Sequence, residues 1–303
     1  MTLRYHSLNE EVKRVFGKRI DRITVNAHMT CPNIDGKKAK GGCTFCSDAS
    51  YEGLTLLKER VGIQSQIDNG MAYVRQRYPS TQFFVYFQNG TNTYDHPDKL
   101  RAYFNQALSY KDVVGVFLAT RPDCLSDEVI EVLDELNSKT YLWVEQGIPS
   151  HKNEINKKLN RAHTVEDFVN SSERLSKKSI RNCAHIMIGL PGENTEDNIE
   201  KARFISALPV QGVKIHNLVV FKDTVLEKQY KAGLYEPLTL DDYTSQCVDF
   251  LEYLRRDIVV MRLNAHGPRR VTIAPDWSVN KWEAINSIHK EMERRDTYQG
   301  RFV

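Results

Sequence analysis

The chain has 303 residues, 41% hydrophobic and 27% charged, and its 42 Lys+Arg against 39 Asp+Glu leave a net charge of +3. That is enough apolar material for a sizeable core and too little net charge to announce a nucleic-acid binder by itself. No apolar run approaches the length of a membrane-spanning helix. The opening Met1-Thr2-Leu3-Arg4-Tyr5-His6 leads into no apolar secretory stretch, so a cytoplasmic protein is expected.

Ile23-Thr24-Val25 is the first strand candidate. Further strand candidates are Phe83–Phe87, Val113–Leu118, Tyr141–Val144, Ala184–Ile188, a run from Val213 through Val220, and Ile258–Met261. Each is a continuous apolar run rather than an alternating one, the pattern of strands covered on both faces of a parallel sheet. Helical segments lie between them. Ile63, Ile67, Met71 and Val74 share one helical face, and Ser126, Thr164 and Asn194 read as N-caps before apolar-periodic segments. Strand then helix, repeated at about thirty residues, predicts an α/β fold. The architecture expected is a partial TIM barrel of about six βα units in one domain. Its core would run over about 20–235, with a short N-terminal entry and a C-terminal α/β extension over about 236–303. In such barrels ligand-binding groups gather where strands end, so polar residues after each run are the candidates.

The six cysteines fall at 31, 43, 46, 124, 183 and 247. A disulfide framework is unexpected in a chain of this length with no export signal, and the scattered last three read as small buried hydrophobes. Cys31, Cys43 and Cys46 are different, because two sulfurs at CxxC spacing and a third on a flexible, Gly- and Lys-containing arm can share one metal centre. Three thiolates are one short of a closed tetrahedral zinc site, unless a group such as His28 completes it. They are also one short of a fully ligated 4Fe–4S cluster, leaving one iron open. A location at a strand-to-loop rim favours the open cluster.

These cysteines, with Phe45 before the last one, resemble the motif of the radical S-adenosylmethionine superfamily. The eleven residues between Cys31 and Cys43 exceed that superfamily's usual spacing and look like the YhcC/YtqA-like group, which is similar to the radical domain of the elongator catalytic subunit. Phe87–Tyr94, Ala119–Asp123, Trp143–Gly147, His185–Glu193 and Ala274–Trp277 with Asn280-Lys281 carry the resemblance further. It implies a 4Fe–4S cluster on Cys31, Cys43 and Cys46, and S-adenosylmethionine as cofactor. Its methionine part would lie against Gln88, Asn89, Gly90, Thr91 and Asn92, its ribose against Glu145 and Gln146, and its adenine beside Gly189, Pro191 and Gly192. An electron donor such as flavodoxin or ferredoxin is implied as a partner.

The substrate is less legible. Basic pairs such as Lys37-Lys38, Lys157-Lys158 and Arg294-Arg295 read equally as solvated helix faces or as a phosphate-tracking surface. Tyr94, Arg121, Lys222, Arg269, Arg270, Trp277 and Lys281 are candidate substrate contacts, with Tyr51, Tyr94 or Trp277 able to stack a base. The group resemblance implies tRNA and wobble-uridine maturation, from 5-carboxymethylaminomethyl- to 5-aminomethyluridine. The acetyltransferase domain of the elongator relative is not expected within these residues. A radical enzyme of a small molecule or protein, and a zinc-stabilised RNA-binding protein, are the alternatives.

Overall fold

A computed structural model describes residues 3–47 and 61–303. Its elements in chain order are α1 (Leu8–Phe16), β1 (Asp21–Val25), α2 (Ile63–Arg75), β2 (Phe83–Phe87), α3 (Pro97–Leu108), β3 (Val113–Thr120) and α4 (Asp127–Asn137). There follow β4 (Tyr141–Gly147), α5 (Asn153–Lys158), α6 (Val165–Lys177), β5 (Arg181–Ile188), α7 (Thr195–Ala207) and β6 (Gly212–Asn217). The last are β7 (Val220–Phe221), α8 (Val225–Lys231), α9 (Leu240–Glu252), β8 (Val259–Arg262), β9 (Thr272–Ala274) and α10 (Lys281–Arg294).

Seven strands form one parallel sheet in the order β1-β2-β3-β4-β5-β6-β8, curled into a half-barrel. The continuous apolar runs are explained by burial of both faces. In β2, Phe83, Val85 and Phe87 pack outward on α2 and α3, while Phe84 and Tyr86 point to the concave side with Phe117, Tyr141 and Trp143. At the N-terminal ends of the strands, Val12 and Phe16 of α1 seat on this aromatic layer, with Phe16 edge-on to Tyr141 at 5.2 Å. The open end of the half-barrel is therefore the C-terminal one. The expected caps are present: Ser126, Thr164 and Asn194 each accept an N–H in the first turn of their helices.

One expectation needs correction. The run from Val213 through Val220 is not one strand: β6 ends at Asn217, whose side chain accepts the Ala265 N–H, and β7 leaves to pair antiparallel with β9. The seven candidate runs supply the seven strands of the half-barrel, with β8 hydrogen-bonded to β6 as the sheet edge after six βα units.

Candidate active site

The strand alternation that buries apolar residues against the helices turns polar ones inward at the open end. There a cavity of about 640 Å³ is lined by Cys46, Gln88, Asn89 and Gly90 on one side. His185, Lys214, His216, Arg262, His266 and Arg269 line it on the other.

The first side is built from backbone and amides. Asn89 and Gly90 both take left-handed conformations, with φ of 69° and 66°. Gly90 is required there, since a Cβ would lie 2.1 Å from the Met29 carbonyl oxygen. The Thr91 N–H donates to Thr30 O, and Asn92 donates to Ala119 O through both its backbone and side chain. This turn thus locks the segment that leads into Cys31. Thr91 and Asn92 are consumed in that role: both are buried, and neither lines the cavity as Gln88 to Gly90 do.

The cysteine segment follows. Cys43 and Cys46 belong to one turn closed by Cys46 N–H to Cys43 O. The Cys43 sulfur accepts N–H groups from Asn33 and Arg161, each at 3.7 Å. Arg161 also donates to His163, whose pKa burial and then Arg161 push down to about 3. Asn160 anchors the arm by donating to the carbonyls of Lys40 and Gly42. On the far side of the arm, Lys38 pairs with Asp123 at 3.3 Å. Among the described residues no three His, Cys, Asp or Glu side chains stand grouped as a metal site. The arm between Cys31 and Cys43 takes positive φ at Gly36, Gly41 and Gly42. The donor set fits an iron–sulfur cluster, since N–H groups aimed at a sulfur stabilise its thiolate form.

The second side is ionic. Glu145, on β4, is fully buried and pairs with Lys214 of β6 and, at 3.0 Å, with His185 of β5. Lys214 also donates to the Tyr86 hydroxyl at 3.2 Å. Burial opposes ionisation of Glu145, yet Lys214 and His185 hold its pKa well below the usual range. Burial lowers Lys214 to about 8 despite its partner, and lowers His185 to about 4, so His185 is neutral near pH 7. The His185 and His216 rings stack at 5.4 Å, and among the described residues the buried His216 Nε2 has no hydrogen-bond partner. Sequence reading missed His185, Lys214, His216 and Arg262. The usable signal was Val213-Lys214-Ile215-His216, where polar residues alternate with apolar ones inside a strand.

The remaining candidates scatter. Gln146 faces the helices, where it donates to Asn182 and accepts from Ser171, so the expected ribose contact is displaced to the wrong face of β4. The geometric cause is the two-residue period of a strand, which sends neighbours Glu145 and Gln146 to opposite sides. Gly189, Pro191 and Gly192 follow β5 but lie outside the cavity lining; Gly189 abuts Leu238 and accepts from the Tyr235 hydroxyl. Arg121 is consumed in a buried two-point pair with Asp123, both contacts 2.9 Å. Tyr94 lines a separate pocket with Lys37 and Cys124. Trp277 is not available to stack a base, because its ring packs on Tyr243 at 5.0 Å and its N–H donates to Leu238 O. Lys222, Arg269, Arg270 and Lys281 are exposed, and of these Arg269 lines the cavity. Tyr51 lies outside the described residues. Most basic pairs are spent internally: Lys178 meets Glu131 and Asp134, and Arg295 meets Asp249 and Glu291. Cys183 and Cys247 are the buried hydrophobes expected.

Comparison with known proteins identifies the class. The Radical SAM superfamily model matches residues 36–205 and the Radical_SAM C-terminal domain model matches 210–294. The chain belongs to the radical SAM superfamily, whose members use a 4Fe–4S cluster and S-adenosylmethionine and require an electron donor. Within it, the chain is 40% identical over 299 residues to the uncharacterised protein YtqA of Bacillus subtilis (strain 168), covering 99% of this chain and 92% of that one. It is 31% identical over 127 residues to a tRNA uridine(34) acetyltransferase of Methanocaldococcus infernus, 41% of this chain and 23% of that one. The half-barrel resembles the archaeal Methanocaldococcus infernus Elp3 structure with a TM-score of 0.64 and 18% identity, covering 92% of this chain and 64% of that longer one. Among the described residues no helix is long and apolar enough to cross a membrane.

Proposed function

We propose that this radical SAM enzyme acts on tRNA, converting the 5-carboxymethylaminomethyl group of the wobble uridine to 5-aminomethyl. The carboxymethyl CH2 would be oxidised by two electrons to an imine, with S-adenosylmethionine as the electron acceptor, and water would hydrolyse the imine to the amine and glyoxylate. The observation that carries the reading is the cavity itself, which sets Cys46 and the Gln88–Gly90 turn opposite a wall bearing Lys214, Arg262, His266 and Arg269. A basic wall suits a substrate whose reacting side chain ends in a carboxylate and whose backbone is phosphate. The partial match to a tRNA uridine(34) acetyltransferase supports the same substrate class.

Cys31, Cys43 and Cys46 would hold the cluster, and Gln88 to Gly90 would border the methionine part of the cofactor. Bound there, cluster and cofactor would supply the radical chemistry that abstracts a substrate hydrogen. The chain's own contribution is orientation and exclusion of water. Glu145 acts by fixing Lys214 and His185, which face the cavity, rather than by binding ribose with a free carboxylate. Flavodoxin or ferredoxin is the proposed electron source.

The test begins with anaerobic reconstitution of the wild-type chain, expected to give a brown protein with about four irons. Joint replacement of Cys31, Cys43 and Cys46 by Ala should abolish the colour. A colourless wild-type protein containing zinc would establish the RNA-binding alternative instead. Addition of tRNA should raise 5′-deoxyadenosine formation, and nucleosides from a deletion strain should accumulate the carboxymethylaminomethyl form. An unchanged wobble-uridine profile rejects the tRNA substrate while leaving the radical class in place.

A further inference from the structure

On the side of the cavity mouth contributed by the C-terminal third of the chain, the basic wall continues outward to the rim. From Ile258 to Pro275 the sequence holds no carboxylate and carries Arg262, His266, Arg269 and Arg270. This stretch lines the cavity at Arg262 and from Ala265 to Arg269. It then folds into a tight turn, in which the backbone N–H groups of Val271 and Thr272 both donate to Pro268 O. The turn is pressed onto the β7–β9 ribbon: a Cβ on Gly267 would lie 2.3 Å from the Phe221 ring and 2.5 Å from Thr272 Oγ1. Arg269 is thereby held outward at the rim, exposed.

The chain returns to the same rim at Val279, which lines the cavity, and α10 starts two residues later. Its first turn presents Lys281 and Trp282, with the Lys281 ammonium 5.0 Å from the Trp282 ring. Trp282 is 58% exposed. The other two tryptophans are engaged: Trp143 is buried in the concave aromatic layer and Trp277 is packed and hydrogen-bonded. A large aromatic largely in water, beside a cation and close in sequence to the cavity rim, suits an unpaired base. Asp276 and Glu283 flank the cations in sequence and are also exposed. They temper the local potential, so stacking rather than bulk charge carries the recognition.

We propose that the Pro268–Thr272 turn and the start of α10 form an RNA-docking lip, in which Arg269 and Lys281 meet phosphates and Trp282 stacks an unpaired base. The proposal deepens the tRNA reading and rests on it. A single-stranded loop is the occupant that matches this chemistry, because only unstacked bases expose a face to a side chain.

The test is binding of unfractionated tRNA to the full chain, over a series of salt concentrations, followed by intrinsic fluorescence. Wild-type fluorescence should be quenched by tRNA, and W282F should lose that quench while binding within about threefold, since a phenyl ring still stacks. W282A should weaken binding by roughly 5- to 100-fold, the range of one base–aromatic stack. The double variant R269Q/K281Q should reduce the slope of log affinity against log salt by about 1.4, two single-strand phosphate contacts. Wild-type binding with a steep salt slope, matched by W282A and R269Q/K281Q alike, would overturn the lip while leaving tRNA as substrate. Absence of salt-dependent binding in the wild type, together with no stimulation of 5′-deoxyadenosine by tRNA, would overturn both.

Discussion

The two sides of the cavity are held by different forces. On the β1–β3 side, the cysteine segment is fixed by backbone amides, asparagine side chains and one left-handed turn, with Gly90 pressed on Met29 and Asn92 tied to Ala119. On the β4–β8 side, Glu145, Lys214 and His185 form a buried ionic knot, which the Tyr86 hydroxyl meets from β2. The difference matches the tasks. The Cys43 sulfur is met by N–H donors, one amide and one guanidinium, whereas the opposite side keeps cations inside the protein and stabilises Lys214 with a carboxylate it shares with His185.

The ionic side should break hardest. Lys214→Met removes the ammonium paired with buried Glu145 and leaves it His185, the Tyr86 hydroxyl and the more distant Arg22, and loss of one partner of a buried pair costs about 3–5 kcal/mol. Urea unfolding should record that loss, and the double variant Lys214→Met with Glu145→Gln should recover most of it. Failure of the second change to restore stability would mean that the pair is not the knot's main bond.

On the amide side the corresponding change is Gly90→Ala. A left-handed non-glycine backbone costs on the order of 1–3 kcal/mol, and the new Cβ would in addition push against Met29 O at 2.1 Å. The melting temperature should fall, and iron content after reconstitution should fall with it because the displaced segment at Met29 leads directly into Cys31. A melt shifted without any loss of iron would separate the turn from the cluster.

Much of this was legible beforehand, for reasons that differ by element. Doubly buried strands announce themselves as unbroken apolar runs, and the caps at Ser126, Thr164 and Asn194 are local signals; all survive in the structure. The end of β6 was illegible because Leu218 and Val219 stay buried after the strand stops, so hydrophobicity does not mark the break. Site residues failed where facing matters. Glu145 and Gln146 look alike in sequence, and only the strand pleat separates them. Trp277 and Trp282 are likewise equivalent until tertiary packing seats one against Tyr243 and leaves the other exposed.

Acid should test both sides at once. His185 in the ionic knot is pushed down to about 4, and His163 beneath the cysteine arm to about 3. Each is neutral when folded but binds a proton when unfolded below about pH 6.5, so the unfolded state gains protons first. Their stability contribution is therefore complete above about pH 6.5 and is lost as pH falls toward 4, by up to roughly 1.4 kcal/mol per pH unit for each group. Denaturation midpoints measured between pH 7 and pH 5 should fall steadily in the wild type. His163→Gln should flatten the part that belongs to the cysteine side, and His185→Gln the part that belongs to the ionic side. An unchanged slope in either variant would remove that side from the acid response.

The smallest effect expected is also the most discriminating for the sheet's two faces. Gln146 is buried against α6, donating to Asn182 and accepting from Ser171, while its neighbour Glu145 faces the cavity wall. Gln146→Met should strand the buried Asn182 Oδ1, a cost of about 1–3 kcal/mol, while Ser171 keeps Phe168 O as its acceptor. Because the side chain never reaches the concave side, S-adenosylmethionine affinity measured on the reconstituted protein should stay within about twofold of wild type. The matching change Glu145→Gln releases Lys214 and His185 into the cavity and should disturb cofactor affinity and stability together. If Gln146→Met instead weakened the cofactor while sparing stability, the β4 register drawn here would be wrong by one residue, since a single-residue slip exchanges every inward and outward side chain.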